Sequence, residues 1–233
     1  MKNTIFVIDI DGTLIRGQSQ RHFIAFLRKK GIVSFWAHAR IMMWFALYKL
    51  HIAKNSSKIL SFALRGFKGK KVDSVHQTMD EFISAVIQPL YFKHSKDLIE
   101  MLQRLGCRII LLSSAVEIIV EAIARDLNVS EYICTRVETA DGAYTGEVEG
   151  VQVYGDQKRI FLEQYLADKN LSIDQVTAIA DHYSDIPLLQ SAKFALVANP
   201  DEKMCTWAKE NDASVIYLDR DESIQYVESH IVS

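Results

Sequence analysis

Ile5-Phe-Val-Ile-Asp9-Ile-Asp11-Gly12-Thr13 is the stretch from which the rest of the chain can be read. Its apolar run, β-branched or aromatic throughout, predicts a strand buried on both faces. Asp9 and Asp11 follow at the carboxyl end, and Gly12-Thr13 breaks the strand at once. Residues two apart on a strand point the same way, so both carboxylates can address one point. In open α/β sheets ligands bind beyond the carboxyl ends of strands, where a buried strand has reason to tolerate charge. The plain alternative is a turn in which Asp and Gly supply only loop chemistry.

The chain has 233 residues and a formal net charge of −2. That length predicts one large domain or a domain with an insert, and the charge gives no reason to expect nucleic acid. Cys107, Cys134 and Cys205 lie far apart with no CxxC pair. Reduced thiols in a cytoplasmic protein account for them. Lys2 runs straight into the strand, which is not a signal-peptide layout.

A helical pattern runs from about Arg21 to about Gln88, divided at Gly31, Gly66 and Gly69. Strands and helices then alternate: helix Lys96–Leu105, strand Cys107–Leu112, helix Val116–Leu127, strand Tyr132–Arg136. A β-hairpin turning at Asp141-Gly142 follows, then helix Gln157–Lys169 and strand Val176–Ala180. The cluster Asp181-His-Tyr-Ser-Asp185 leads into a short helix, then come strands Phe194–Ala198 and Ser214–Leu218. Asn199-Pro200-Asp201-Glu202 reads as a helix start with Asn199 as the cap. The fold class is therefore α/β: a doubly wound parallel-sheet, Rossmann-like core with a β-hairpin flap and an inserted all-helical cap domain. The core is expected over 1–16 and 90–233 and the cap over 17–89.

Three further places carry chemistry. Ser113 ends an apolar strand, and its hydroxyl and nearby N–H groups suit an anion. The Ser114/Glu117 spacing fits a capping box, which leaves Ser113 free. Lys158 stands in a helix first turn, where a cation opposes the macrodipole and a bound anion would reverse that penalty, although surface lysines also occur there without function. Asp181 continues a buried strand as Asp9 does, and Asp185 either joins it or caps the next helix. Strand-end carboxylates meeting at a sheet crevice would make an oxygen-rich site of the kind Mg²⁺ prefers.

The order of these groups resembles the haloacid dehalogenase superfamily of phosphohydrolases. Asp9-Ile-Asp11-Gly-Thr13, Ser113, Lys158 and Asp181…Asp185 match its four motifs in sequence. Ser113-Ser-Ala-Val-Glu117, Asp141-Gly-Ala-Tyr-Thr-Gly146, Tyr154-Gly-Asp-Gln-Lys158, Asp185-Ile-Pro-Leu-Leu189 and Ala198-Asn-Pro-Asp201 are similar to its phosphoserine-phosphatase-like branch, subfamily IB, which carries a helical cap. The resemblance implies a Mg²⁺-dependent phosphatase of small phosphate esters. Asp9 would be the nucleophile that forms an aspartyl-phosphate, and Asp11 the general acid and base. Asp9, Asp11 through its carbonyl, Asp181 and Asp185 would hold the metal. Ser113, Lys158 and the loop residues Gly12, Thr13 and Ser114 would surround the phosphoryl group.

The chain departs from the pattern at Ala180-Asp181-His182, where the family usually has Gly-Asp and a small residue. His182 would sit at the rim of the site and touch substrate. Gln18 stands where phosphoserine phosphatases usually carry a Glu that meets the substrate ammonium, which argues against phosphoserine. Ile41-Met-Met-Trp-Phe-Ala-Leu-Tyr48 is too short to span a bilayer, which takes about 20 residues. It reads as a buried cap helix, with membrane-surface contact, a homodimer face or a lipid phosphate such as phosphatidylglycerophosphate as the alternatives. A catalytically impaired binding or regulatory protein on the same fold is the rival from another class. Phosphoryl transfer to an acceptor other than water would use the same residues.

Overall fold

The computed structural model describes residues 4–36, 38–41, 43 and 64–229. At its centre lies β1 (Ile5–Ile8), with all four residues buried. Parallel strands flank it: β2 (Arg108–Val116) sets Leu111 opposite Ile8, and β6 (Val176–Ala180) sets Ile179 opposite the same residue. With β3 (Glu131–Thr135), β7 (Phe194–Ala198) and β8 (Ser214–Ile216), the order across the six-stranded sheet is β3-β2-β1-β6-β7-β8. The chain winds outward from β1 to one edge, returns to β6 and winds to the other. The β1/β6 junction is therefore the topological switch point, where such sheets open a crevice at their carboxyl ends.

Successive side chains of β1 feed two cores, as the period of a strand demands. Phe6 and Ile8 enter a cluster shared with α1 (Ser19–Lys29), α2 (Val72–Phe82), α3 (Ser95–Arg104) and α4 (Glu117–Asp126). Ile5 and Val7 enter the other, with α5 (Asp156–Asp168), α6 (Ile186–Ser191) and α7 (Glu202–Glu210). A last helix, α8, covers Asp221–Val227. The doubly wound parallel sheet expected from the sequence is thus present.

Two local expectations are corrected. Strand β2 runs on to Val116, and the capping box from Ser114 does not form; Val116 holds the cap position of α4 with no side-chain bond. Tertiary partners take the Glu117 carboxylate that the box needed. Thr135 Oγ1 donates to the Ser114 carbonyl at 3.0 Å, while Glu117 pairs with Arg136 and accepts the Val137 N–H at 3.4 Å. Asn199 does not cap α7; Asp201 does, accepting the Met204 N–H at 2.9 Å. The hairpin of β4 (Val137–Ala140) and β5 (Ala143–Val148) turns at Asp141 and Gly142, both at positive φ (50° and 73°), as a type I′ turn requires. Its outer edge is extended by the insert: the Gly69 N–H donates to the Tyr144 carbonyl at 2.8 Å, the Tyr144 N–H to the Lys70 carbonyl at 3.0 Å and the Val72 N–H to the Gly142 carbonyl at 3.1 Å.

The chain leaves and re-enters the core at adjacent points. The Arg16 N–H donates to the Leu90 carbonyl at 2.8 Å and the Phe92 N–H to the Leu14 carbonyl at 3.1 Å. Within the insert, Phe23 stacks on Phe67 at 5.6 Å and meets Phe82 edge-on at 4.9 Å, and all three join the cluster that contains Ile8. Of the apolar segment 41–48, Ile41 is buried and Met43 exposed; residue 42 and residues 44–48 lie outside the described residues. Among the described residues no helix is long and apolar enough to cross a membrane.

Candidate active site

Continuing the register of β1 and β6 sets Asp9 beside Ala180, so Asp181 emerges one residue further along the same crevice. Asp185, in the turn after β6, folds back on them. Carboxylate oxygens of Asp9, Asp181 and Asp185 lie within 4.8 Å of one another. Lys158, in the first turn of α5 and almost wholly buried, places Nζ 2.6 Å from Asp9 Oδ1 and 2.9 Å from Asp185 Oδ1. Thr13 Oγ1 is 3.3 Å from Asp9 Oδ2 and 3.4 Å from Asp181 Oδ1, so its one hydrogen is shared between two acids. Asp185 sits at the cap position of α6 but makes no side-chain capping bond; its carboxylate serves the cluster.

Gly12 is fixed by space as well as by conformation. Its φ is +89°, and a Cβ there would lie 2.0 Å from Asp181 Oδ2. Its N–H donates to the Ile15 carbonyl at 2.8 Å, and its missing side chain leaves room for the Asp181 carboxylate. Asp11 points away from the cluster toward the insert, where the Ser19 N–H donates to Oδ1 at 2.7 Å and Ser19 Oγ to Oδ2 at 3.1 Å.

The electrostatics follow from three buried carboxylates facing one ammonium. Burial, reinforced by Asp185 and Asp181, raises Asp9 well above the ordinary carboxylate range against the pull of Lys158. Asp181 is pushed up to about 7 by burial and by Asp185. Burial would lower Lys158, but Asp9 and Asp185 outweigh it and hold the amine charged. Asp11 is raised to about 6 by burial, against the lowering effect of its two Ser19 bonds. A divalent cation fits this donor set: it is all hard oxygen, and it carries more negative charge than Lys158 neutralises.

The remaining expected residues divide. Ser113 is buried within β2, two residues beyond the last pairing of β2 with β1, with its Oγ accepting the Ala115 N–H at 3.1 Å. Ser114 contributes its carbonyl, which Gln20 Nε2 approaches at 3.4 Å. Gln18 is exposed, at the cap position of α1 without a side-chain capping bond, and no described bond brings it to the acids. His182 lies outside the acidic cluster: its Nδ1 accepts the Ser184 N–H at 3.2 Å, its ring packs 4.2 Å from Tyr183, and burial lowers its pKa. Ser19 and Gln20 escaped the sequence reading. A serine beside a helix start carries no signal of a distant carboxylate, and Gln20 is recognisable only once α1 is seen to lean over the strand ends.

Comparison with known proteins agrees with this geometry. The model of the haloacid dehalogenase-like hydrolase family matches residues 6–190. A Mycobacterium tuberculosis protein called a probable phosphatase is 32% identical over 133 residues, covering 57% of this chain and 46% of that protein. The chain thus spans about half the length of that relative. A phosphoserine phosphatase of the same organism is 24% identical over 205 residues, 87% of this chain and 67% of that one. A histidinol-phosphatase of Neisseria meningitidis is 26% identical over 221 residues, 93% of this chain and 99% of that one. Among solved structures, a Bordetella pertussis protein of unknown function superposes with a TM-score of 0.85 at 24% identity, covering 94% of this chain and all of that one. A phospho-aspartyl intermediate analogue of phosphoserine phosphatase superposes with a TM-score of 0.65 at 17% identity, covering 99% of this chain and all of that one.

Proposed function

The chain belongs to the haloacid dehalogenase-like hydrolases, and on that premise we propose that it is a Mg²⁺-dependent phosphomonoester hydrolase working through an aspartyl-phosphate on Asp9. The observation that carries the reading is the buried cluster of Asp9, Asp181 and Asp185 with Lys158 clamped against two of them. A carboxylate oxygen of Asp9 attacks phosphorus while the bond to the leaving oxygen breaks and Asp11 delivers the proton to it. Asp11, now anionic, takes a proton from water, which attacks the phosphoryl group, releases phosphate and restores Asp9. An acid held near 6 can serve both steps near neutrality. Mg²⁺, held by Asp9, Asp181, Asp185 and the Asp11 carbonyl, would supply charge neutralisation at the phosphoryl oxygens. Lys158, Ser113, Thr13 and Ser114 would surround those oxygens.

Residues 17–89 form the proposed substrate-selecting unit, a division supported by the adjoining entry and exit at Arg16 and Leu90. The leaving group is that of a small phosphorylated metabolite. The exposed, uncharged Gln18 disfavours phosphoserine, and the near full-length match to a histidinol-phosphatase favours a phosphorylated amine held by other means. A lipid phosphate is the second reading, carried by the exposure of Phe35 and Trp36 (55% and 80%) in the insert. Cytoplasmic location is proposed from the free thiols Cys107, Cys134 and Cys205.

Phosphate release tests the proposal, measured with Mg²⁺ and with EDTA over a panel that includes phosphoserine, histidinol phosphate and a micellar lipid phosphate. Wild type should release phosphate only with Mg²⁺, and Asp9→Asn should release none. Turnover retained by Asp9→Asn would refute the covalent route. Comparable rates on phosphoserine and the best other ester would remove the argument from Gln18.

A further inference from the structure

The loop that follows the nucleophile is tied down by a residue far away in sequence. From Ile10 to Ile15 the backbone satisfies itself on one side: the Leu14 and Ile15 N–H groups donate to the Ile10 carbonyl and the Gly12 N–H to the Ile15 carbonyl. Its next carbonyls face outward, and Asn199 meets them. Asn199 Nδ2 donates to the Gly12 carbonyl at 3.2 Å and to the Thr13 carbonyl at 3.0 Å, while Oδ1 accepts the Leu218 N–H at 2.8 Å. The next carbonyl along, Leu14, accepts from the buried Ser95 Oγ at 2.6 Å. One primary amide thus uses both of its donors on the loop and its acceptor on the chain after β8.

Asn199 adopts a positive φ of 46°, a backbone state that asparagine tolerates better than most residues. The asparagine at the end of β7 is spent on this bridge, which is why Asp201 caps α7 instead. A trans peptide is planar with its C=O and N–H opposed, so fixing one fixes the other. Holding the Gly12 carbonyl sets the direction of the Thr13 N–H; holding the Thr13 carbonyl sets the Leu14 N–H, which closes the loop on Ile10.

We propose that Asn199 is a positioning residue for phosphoryl transfer, orienting through its side-chain amide the loop that carries Thr13 behind the nucleophile. It touches neither the acids nor the phosphoryl group, and it acts through Gly12 and Thr13. The inference rests on the phosphatase reading above for its consequence in catalysis, but not for the tether itself.

Asn199→Asp is the discriminating variant, because it keeps the acceptor for Leu218 and the tolerance of positive φ while losing both donors. Asn199→Ala, which loses all three bonds, is the control for structural damage. The first readout is kcat and KM with saturating Mg²⁺ on the best ester of the panel. The second is amide hydrogen exchange of metal-free protein, which needs no activity. For Asn199→Asp, kcat should fall tenfold or more with KM changed less than threefold. The amides of Gly12, Leu14 and Ile15 should exchange at least tenfold faster, with those of Val7 and Ile110 within twofold of wild type. Any other combination overturns the proposal: kcat within twofold, loop exchange unchanged, or exchange raised evenly across the sheet, as a purely structural role would give. Inactivity of the wild type would instead refute the phosphatase reading, while the exchange pattern would still judge the tether.

Discussion

At the scale of single residues, what can occupy the crevice is decided by Gly12 as much as by the acids. Replacing it with alanine introduces a Cβ 2.0 Å from Asp181 Oδ2 on a backbone at φ +89°. The conformation alone costs about 1–2 kcal/mol, and the displaced carboxylate is a ligand of the proposed cation. Gly12→Ala is expected to lower Mg²⁺ affinity at least tenfold and phosphate release further still; calorimetric titration with Mg²⁺ checks the first and the phosphate assay the second. The acids and Lys158 were legible because charge at the end of a buried strand, or in the wrong turn of a helix, violates a local rule and asks for a reason. Ser19 and Asn199 break no such rule. Asn199 even satisfied one, the helix-start pattern, and only the tertiary fold shows that its amide is spent elsewhere.

At the scale of elements, α1 joins the insert to the chemistry. Its first residue supplies both bonds that hold Asp11, one from the backbone and one from Ser19 Oγ. Ser19→Ala keeps the N–H bond and removes the hydroxyl. An acid aimed at the leaving oxygen matters most for a poor leaving group. Single-turnover release of an alkyl leaving group should therefore slow about tenfold, within the usual range for proton transfer by a positioned side chain, and release of an aryl leaving group less than twofold. Equal slowing of both would remove Ser19 from that role. Most elements were readable from periodicity: Val176–Ala180 and Phe194–Ala198 form as expected, and Asp141-Gly142 makes its turn. The failures lie where a distant side chain outbids a local partner, as Arg136 does at Glu117, or where pairing joins segments far apart, as between Lys71 and Ala143.

For the whole molecule, the raised acids make stability depend on pH and metal together. Asp11 at about 6 and Asp181 at about 7 hold protons in the folded state that the unfolded chain, near 3.8, has released. Folding is therefore favoured at low pH, and that contribution is lost as pH rises from about 4 through about 7. His94, raised by its bonds to Asp97 and Asp221, adds a change of the same sign, present below its ordinary 6.5 and lost above its folded value, while His22, His38 and His182, lowered by burial, act in the opposite sense and make the fall shallower. In EDTA the melting temperature should fall between about pH 5 and about pH 8, and Mg²⁺ should raise it more at the upper end, where the carboxylates are free to bind. Asp181→Asn should flatten the metal-free profile and shrink the Mg²⁺ effect. A metal-free melting temperature that is level across this range would contradict the shared-charge account of the cluster.

The strip of insert at Gly69–Val72, zipped to the hairpin edge by three backbone hydrogen bonds, also sets a population. Each such bond is worth about 1 kcal/mol net in water, and Phe67 packs edge-on against Tyr144 across the same join, so parting the insert from the hairpin costs more than the roughly 3 kcal/mol of the hydrogen bonds and leaves fewer than about one molecule in a hundred ajar at any instant. A leaving group that must pass beneath the insert would meet that minority, and its apparent dissociation constant would be weakened by the same fraction. Residues that never approach the phosphorus, out along the rim of the hairpin, would then govern how often the door stands open.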